Sequence, residues 1–198
     1  MNFTELSHIK LAEALGGRKL RFAVDATLGR GRDALFAMSL LDGDGELFGF
    51  DVQARAIEES RRLFESKGLA VSTDSFSAAG ARAKFFRASH ADMETLLPER
   101  ARGKIGAAFF NLGWLPTSDK SVVTSASGTV AALEAVGRIC DPAGCIVSVL
   151  CYRGHAGGEE EFCAVRDFFT RGGFEYEMSA DWSNPISPVL VFAKLNFA

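Results

Sequence analysis

The sequence has 198 residues, is 47% apolar and 24% charged, and carries a formal net charge of −3. That is ordinary globular composition; it excludes a membrane-spanning helix, which needs roughly 20 consecutive apolar residues, and it gives no global attraction to nucleic acid. The length suits one domain, residues 1–198, and because MNFTELSHIKLAEAL lacks a signal-peptide core, a cytoplasmic protein is expected.

Helical spacing runs from about Thr4 to Leu15 and stops at Gly16-Gly17. LRFAVDAT reads as a first strand, GRDALFAMSLL as the helix after it, GELFGFD as a second strand and QARAIEESRRLFESKG as a second crossover helix. The segment AVSTDSFSAAGARA is polar and rich in Gly, Ala and Ser, so it reads as a mobile loop leading to a third strand, KFFRAS. A short helix near ADMETLL and a fourth strand, IGAAFFN, come next. A helix from about Ser127 to Ile139 then leads to the fifth strand, CIVSVLCY. A helix from about Gly158 to Thr170 precedes two closing strands, FEYEMSA and PVLVFAKL, joined by DWSNPIS. Near-continuous apolar strands alternating with helices imply an α/β fold. Its sheet is mostly parallel and covered by helices on both faces, with an antiparallel hairpin at one edge.

Cys140, Cys145, Cys151 and Cys163 form no C-x-x-C pair, and His8, His90 and His155 are scattered singly. The pattern predicts buried reduced thiols and no metal site. Three small basic clusters (Arg18, Lys19, Arg21; Arg82, Lys84, Arg87; Arg100, Arg102, Lys104) offer a local basic face or simply solvated surface.

Ligands of such sheets sit beyond the C-terminal ends of the strands, so the residues just after each strand carry the functional reading. They are Asp25, Thr27, Gly29, Gly31 and Asp33 after the first, Asp51 and Gln53 after the second, and Ser89 and His90 after the third. Asn111, Gly113 and Trp114 follow the fourth, and Tyr152 and His155 follow the fifth. Gly29-Arg-Gly31-Arg-Asp33-Ala34 satisfies the dinucleotide fingerprint G-x-G-x-x-G/A, with Asp51 about twenty residues on. Charge argues against a dinucleotide, because a pyrophosphate seeks positive potential while Asp25 and Asp33 flank the loop. S-adenosylmethionine brings a sulfonium and an ammonium, which acidic neighbours favour, and Asp51 suits the ribose hydroxyls of either ligand.

VDATLGRGRDALF, GFDVQARAIE, FNLGWLPTSDKSVVTSASGTVAALE, GHAGGEEE and SNPISPVLVFAK together resemble the YtqB/MnmM-type family of class I methyltransferases, long labelled rRNA methylases. The resemblance runs from His8 to Lys194. It implies a Rossmann-like sheet of seven strands and S-adenosylmethionine as donor, held by the residues from Asp25 to His90 named above together with Asn111 and Gly113. It further implies tRNA as partner, with transfer to the amine of a 5-aminomethyl group on a wobble uridine. Two departures stand out: Arg30 occupies a position where the family prefers Asn, and residues 70–83 look like an insertion.

Amino-group methyltransferases often place an Asn/Asp-Pro-Pro-aromatic segment after the fourth strand, and Asn111-Leu-Gly-Trp114 is a loose counterpart. Asn111 would accept a hydrogen bond from the amine, and Trp114 would stack on a splayed nucleobase. An alkylamine must lose a proton before attack. His155 and His90 are the rim histidines for that role, Asp119 is a second-rank candidate, and Lys120 suits a phosphate. Methylation of rRNA or of a small-molecule amine is the alternative reading. A non-catalytic donor-binding module and an NAD-dependent oxidoreductase are further ones. The sequence does not fix the oligomeric state and admits a homodimer.

Overall fold

The computed structural model describes residues 2–74, 77–113 and 124–195. Helix α1 (Phe3–Leu15) opens with a reciprocal capping box between Asn2 and Glu5 and ends at Gly16, whose φ of 55° lies in the left-handed region. Strand β1 (Leu20–Asp25), helix α2 (Arg32–Leu40), strand β2 (Leu41–Phe50) and helix α3 (Ala54–Ser66) follow. Next come strands β3 (Val71–Thr73) and β4 (Ala83–Phe86), a 3-10 turn over His90–Asp92, and helix α4 (Met93–Leu96). Strand β5 (Ile105–Leu112), helix α5 (Ala126–Ile139), strand β6 (Cys145–Cys151), helix α6 (Gly158–Arg171) and strands β7 (Tyr176–Ala180) and β8 (Val189–Leu195) complete the described chain.

Among the described residues, eight strands form one sheet in the order β3-β4-β2-β1-β5-β6-β8-β7. Strands β1 to β6 run parallel, while β8 pairs antiparallel with both β6 and β7. The edge hairpin is therefore as expected, but the sheet has one strand more than the seven implied by the resemblance. The addition is β3, which lies in the segment expected to be a loop and pairs with Ala83–Phe85 of β4. Only three residues long, β3 carries no periodicity; the open edge of β4 specifies it. Strand β2 also begins earlier than expected, at Leu41, where Leu41 pairs with Leu20 through an irregularity in the ladder. Asp42, Gly43 and Asp44, which precede the expected strand GELFGFD, thus belong to it.

Alternation along the strands divides the core into two layers. Phe22, Val24, Phe48, Phe50 and Phe110 point toward α4, α5 and α6, whereas Ala23, Leu47 and Phe109 point toward α1, α2 and α3. Phe50 and Phe86 stack with ring centroids 4.9 Å apart. Cys145 and Cys151 are buried in β6, as the apolar pattern predicts.

The sheet order reverses beside β1: β2 and β4 lie on one side, β5 and β6 on the other. The loops leaving β1 and β5 therefore diverge, and a crevice opens between them at the C-terminal ends of the strands. The clusters containing Arg18, Arg82 and Arg100 lie largely at the opposite rim. There Arg82 donates to the carbonyls of Gly45 and Asp42, and Arg100 pairs with Glu46. They staple strand beginnings rather than form a basic face around the crevice.

Candidate active site

The crevice is a cleft of about 690 Å³ lined by the loops after β1, β2, β4, β5 and β6 and by the first turns of α1. Its volume falls in the range of small-molecule sites. One half is acidic. Asp25, the last residue of β1, is 1% exposed. Its Oδ1 accepts the Thr27 N–H at 3.1 Å, and its Oδ2 has no partner among the described residues. Burial, then the charges of Asp33 and Asp51, push its carboxyl well above the ordinary value of 3.8. Asp51 accepts the N–H of Gly29 at 3.0 Å on Oδ2 and that of Gln53 at 2.9 Å on Oδ1. Burial raises its pKa, and those two N–H donors oppose the rise.

The loop between β1 and α2 lies close against α3. Gly31 has φ of 73°, and a Cβ there would stand 2.8 Å from Ser60 Oγ. The same hydroxyl donates to the Gly29 carbonyl at 3.0 Å. The glycines thus serve two needs, positive φ and close packing. Arg30, the residue that departs from the family preference, lines the cleft with Nε 3.4 Å from Glu59 on α3, so a carboxylate offsets its charge. Ser89 caps the 3-10 turn by accepting the Ala91 N–H at 3.2 Å. His90 Nδ1 lies 3.1 Å from the Ala26 carbonyl, which requires the ring nitrogen to donate, and burial lowers its pKa. His90 is therefore a neutral brace for the β1 loop.

The other half centres on the end of β5. The Asn111 N–H donates to Thr27 Oγ1 at 2.6 Å, which ties the β5 end to the β1 loop. Its Nδ2 donates to Asp33 Oδ2, and Asp33 Oδ1 lies 2.6 Å from His8 Nε2. Asp33, expected among the donor contacts, is thus also joined to the candidate acceptor residue. Gly113 has φ of 146°. Its N–H donates to Thr124 Oγ1 at 2.9 Å, and that hydroxyl donates to Glu161 Oε2 at 2.8 Å. Thr129 donates to Glu161 Oε1 at 2.6 Å, and Glu161 is 2% exposed. A buried carboxylate thereby fixes one end of the segment that leaves β5.

Tyr152 lines the cleft, and burial followed by Asp33 raises its pKa. His155 does not line the cleft. Its Nε2 lies 3.8 Å from where a Gly113 Cβ would stand, and its Nδ1 is 2.9 Å from the Ala156 carbonyl. Trp114, Asp119 and Lys120 lie outside the described residues. Sequence reasoning passed over His8, Thr124 and Glu161 as functional residues. His8 was visible only as one polar residue on an amphipathic helix, and Glu161 as one of three consecutive glutamates in GGEEE.

The family description "Putative rRNA methylase" matches residues 47–173. A chloroplastic protein of Arabidopsis thaliana, named tRNA (mnm(5)s(2)U34)-methyltransferase, is 33% identical over 206 residues, covering 96% of this chain and 68% of the relative. An rRNA methylase structure from Streptococcus thermophilus superposes with a TM-score of 0.73 at 25% identity, covering 100% of this chain and 98% of that one. SMU.1697c of Streptococcus mutans, solved with SAH, gives 0.72 at 24% identity and covers 94% of this chain and 97% of its own. By the match to most of its core and by the identity to the plant relative, the chain belongs to the rRNA methylase family of methyltransferases.

Proposed function

We propose that this chain, acting as a single domain over residues 1–198, is an S-adenosylmethionine-dependent methyltransferase. Its acceptor is the amine of a 5-aminomethyl(-2-thio)uridine at the wobble position of tRNA. The observation that carries this reading is the Asn111 amide at the end of β5. Its Nδ2 is committed to Asp33, which leaves Oδ1 as the acceptor group on the wall of the same cleft that holds Asp51. The name of the Arabidopsis relative supports the substrate class.

The residues present fit the donor. Asp51 uses one lone pair on each oxygen for Gly29 and Gln53 and retains others for a ribose diol. Asp25, Asp33 and Asp51 together give the negative potential that a sulfonium and an ammonium require. When bound, the donor supplies an electrophilic methyl carbon. The chain's own part is then positioning and exclusion of water. Asn111 Oδ1 accepts one N–H of the amine and aims the nitrogen lone pair, and Trp114 stacks on the uracil ring. The amine arrives mostly protonated and must first lose a proton, for which His155, with Nε2 3.8 Å from where a Gly113 Cβ would stand, is the candidate base.

The reading includes a cytoplasmic location, checked by cell fractionation. Among the described residues no helix is long and apolar enough to cross a membrane. A homodimer is compatible with it and is read directly by sedimentation velocity. The deciding experiment incubates the protein and labelled donor with tRNA from cells able and unable to install the aminomethyl group, followed by mass spectrometry of nucleosides. Methylation confined to the precursor-bearing pool, at the wobble nucleoside and rising with pH, is expected. Equal label in both pools overturns it, and label in rRNA or in a small amine instead selects the alternative acceptor.

A further inference from the structure

We infer that His8, on the N-terminal helix, is a positioning residue for methyl transfer: through Asp33 it sets which end of the Asn111 side-chain amide faces the acceptor amine. This rests on the proposed function for its consequence but not for its geometry. The three residues come from α1, α2 and β5, with sequence separations of 25 between His8 and Asp33 and 78 between Asp33 and Asn111. An ionised carboxylate has no hydrogen to donate, so both of its partners must be donors. His8 therefore presents Nε2–H, and Asn111 presents its NH2, to the two oxygens of Asp33. The amide oxygen of Asn111 is left to point elsewhere.

The consequence follows from the near-identical shapes of the two ends of an amide. An Asn111 free to flip would present NH2 to the incoming amine half of the time or more, meeting N–H with N–H. Asp33 selects one flip state, and His8 keeps Asp33 in the rotamer that does so. The ring of His8 is itself fixed. It stacks on Phe36 at a centroid separation of 3.8 Å and an interplanar angle of 9°. Phe36 in turn meets Phe109, two residues before Asn111, edge-on at 6.3 Å. One residue before His8, buried Ser7 hydrogen-bonds Ser148 of β6 at 2.6 Å, which locks the register of α1 over the sheet. Helix α1 is thus part of the acceptor wall, and His8 lines the cleft.

The test uses the whole chain with His8→Ala, His8→Leu and His8→Gln. Leu keeps an apolar stack on Phe36 without a donor, and Gln restores an N–H donor toward Asp33. The Asn111 side-chain amide pair is followed by nitrogen–proton NMR, identified by its loss in Asn111→Asp. In the parent and in His8→Gln one amide proton should be displaced by its carboxylate partner. In His8→Leu and His8→Ala it should move toward the exposed-amide position. Single-turnover transfer at saturating donor and tRNA should fall about tenfold or more in His8→Leu, with donor affinity within about twofold, and recover in His8→Gln. In an Asn111→Ala background His8→Leu should have no further effect. An unchanged Asn111 resonance in folded His8→Leu, or a full His8 effect that persists without Asn111, overturns the inference. If the parent transfers no methyl group to tRNA, the acceptor assignment fails, while the resonance still decides the role of His8.

Discussion

At the N-terminal ends of the strands, Arg82 reaches the Gly45 carbonyl at 2.9 Å, Arg21 lies 3.4 Å from Asp42, and Arg100 grips Glu46 with two donors. At the C-terminal ends, Asp33 and Asp51 line a cleft, and at the end of β1 one oxygen of buried Asp25 is left without a partner among the described residues. Cations at the first rim are matched by acids and carbonyls of the fold. At the second rim Asp33 and Asp51 add to burial in raising the pKa of Asp25, and of the cations that line the cleft Arg30 is set against Glu59. The difference marks the first rim as built for stability and the second as built to receive a cationic ligand.

The sharpest way to break this comparison is at the point where the acidic rim meets the chemistry. Asn111→Ala should lower single-turnover methyl transfer by about 100-fold or more, with donor affinity nearly intact by calorimetry. A loss confined to donor affinity would move Asn111 out of the acceptor half. Asp51→Ala should weaken donor binding at least tenfold, since hydrogen bonds to a charged carboxylate contribute roughly 1.5–3 kcal/mol. Unchanged affinity in the folded variant would remove the acidic rim from the ribose.

Asp25 gives an effect of opposite sign on stability. Its folded pKa lies above the ordinary value of 3.8, so the folded state holds the proton more tightly than the unfolded chain does. The contribution of this group is fully present below that ordinary value. It is lost as pH rises through the raised folded value and is flat above it. At neutral pH Asp25→Asn should therefore raise the melting temperature by several degrees while weakening donor binding, both measurable by calorimetry. A lower melting temperature would mean that the ionised carboxylate stabilises the fold. The smallest effects separate the rims by salt dependence. Arg32→Ala, an exposed cation lining the cleft, should reduce the slope of log tRNA affinity against log salt by about 1. Arg100→Ala should leave that slope unchanged and shift the melting temperature little, because exposed pairs contribute little. Equal slopes for the two variants would erase the distinction.

Much of the fold was legible because local and global signals agree. The stop at Gly16, left-handed with φ of 55°, marks the end of α1 by a local signal that needs no tertiary contact. The apolar runs at β5 and β6 are buried throughout except at Asn111, so hydropathy located both the strands and the exception. β3 was not legible, since Val71–Thr73 is a strand only because β4 offers an unpaired edge. In the site, Asp25, Asp51 and Asn111 could be named from their places after strands, because a parallel sheet delivers those places to one rim. His8 could not, because a helix face predicts burial but not which rim the helix crosses.

The sequence by itself determined the alternation of strand and helix, the two aspartates that flank the loop after β1 and the amide at the end of β5. These follow from periodicity and from residue chemistry within a few positions. Only the tertiary structure decided that Asp33 faces Asn111, that His8 closes the same chain of contacts, and that Glu161 anchors Gly113 through Thr124. Each of those contacts joins residues on different elements. Its existence depends on how far α1 and α6 slide and rotate against the sheet, which is set by summed packing over many side chains rather than by any local pattern.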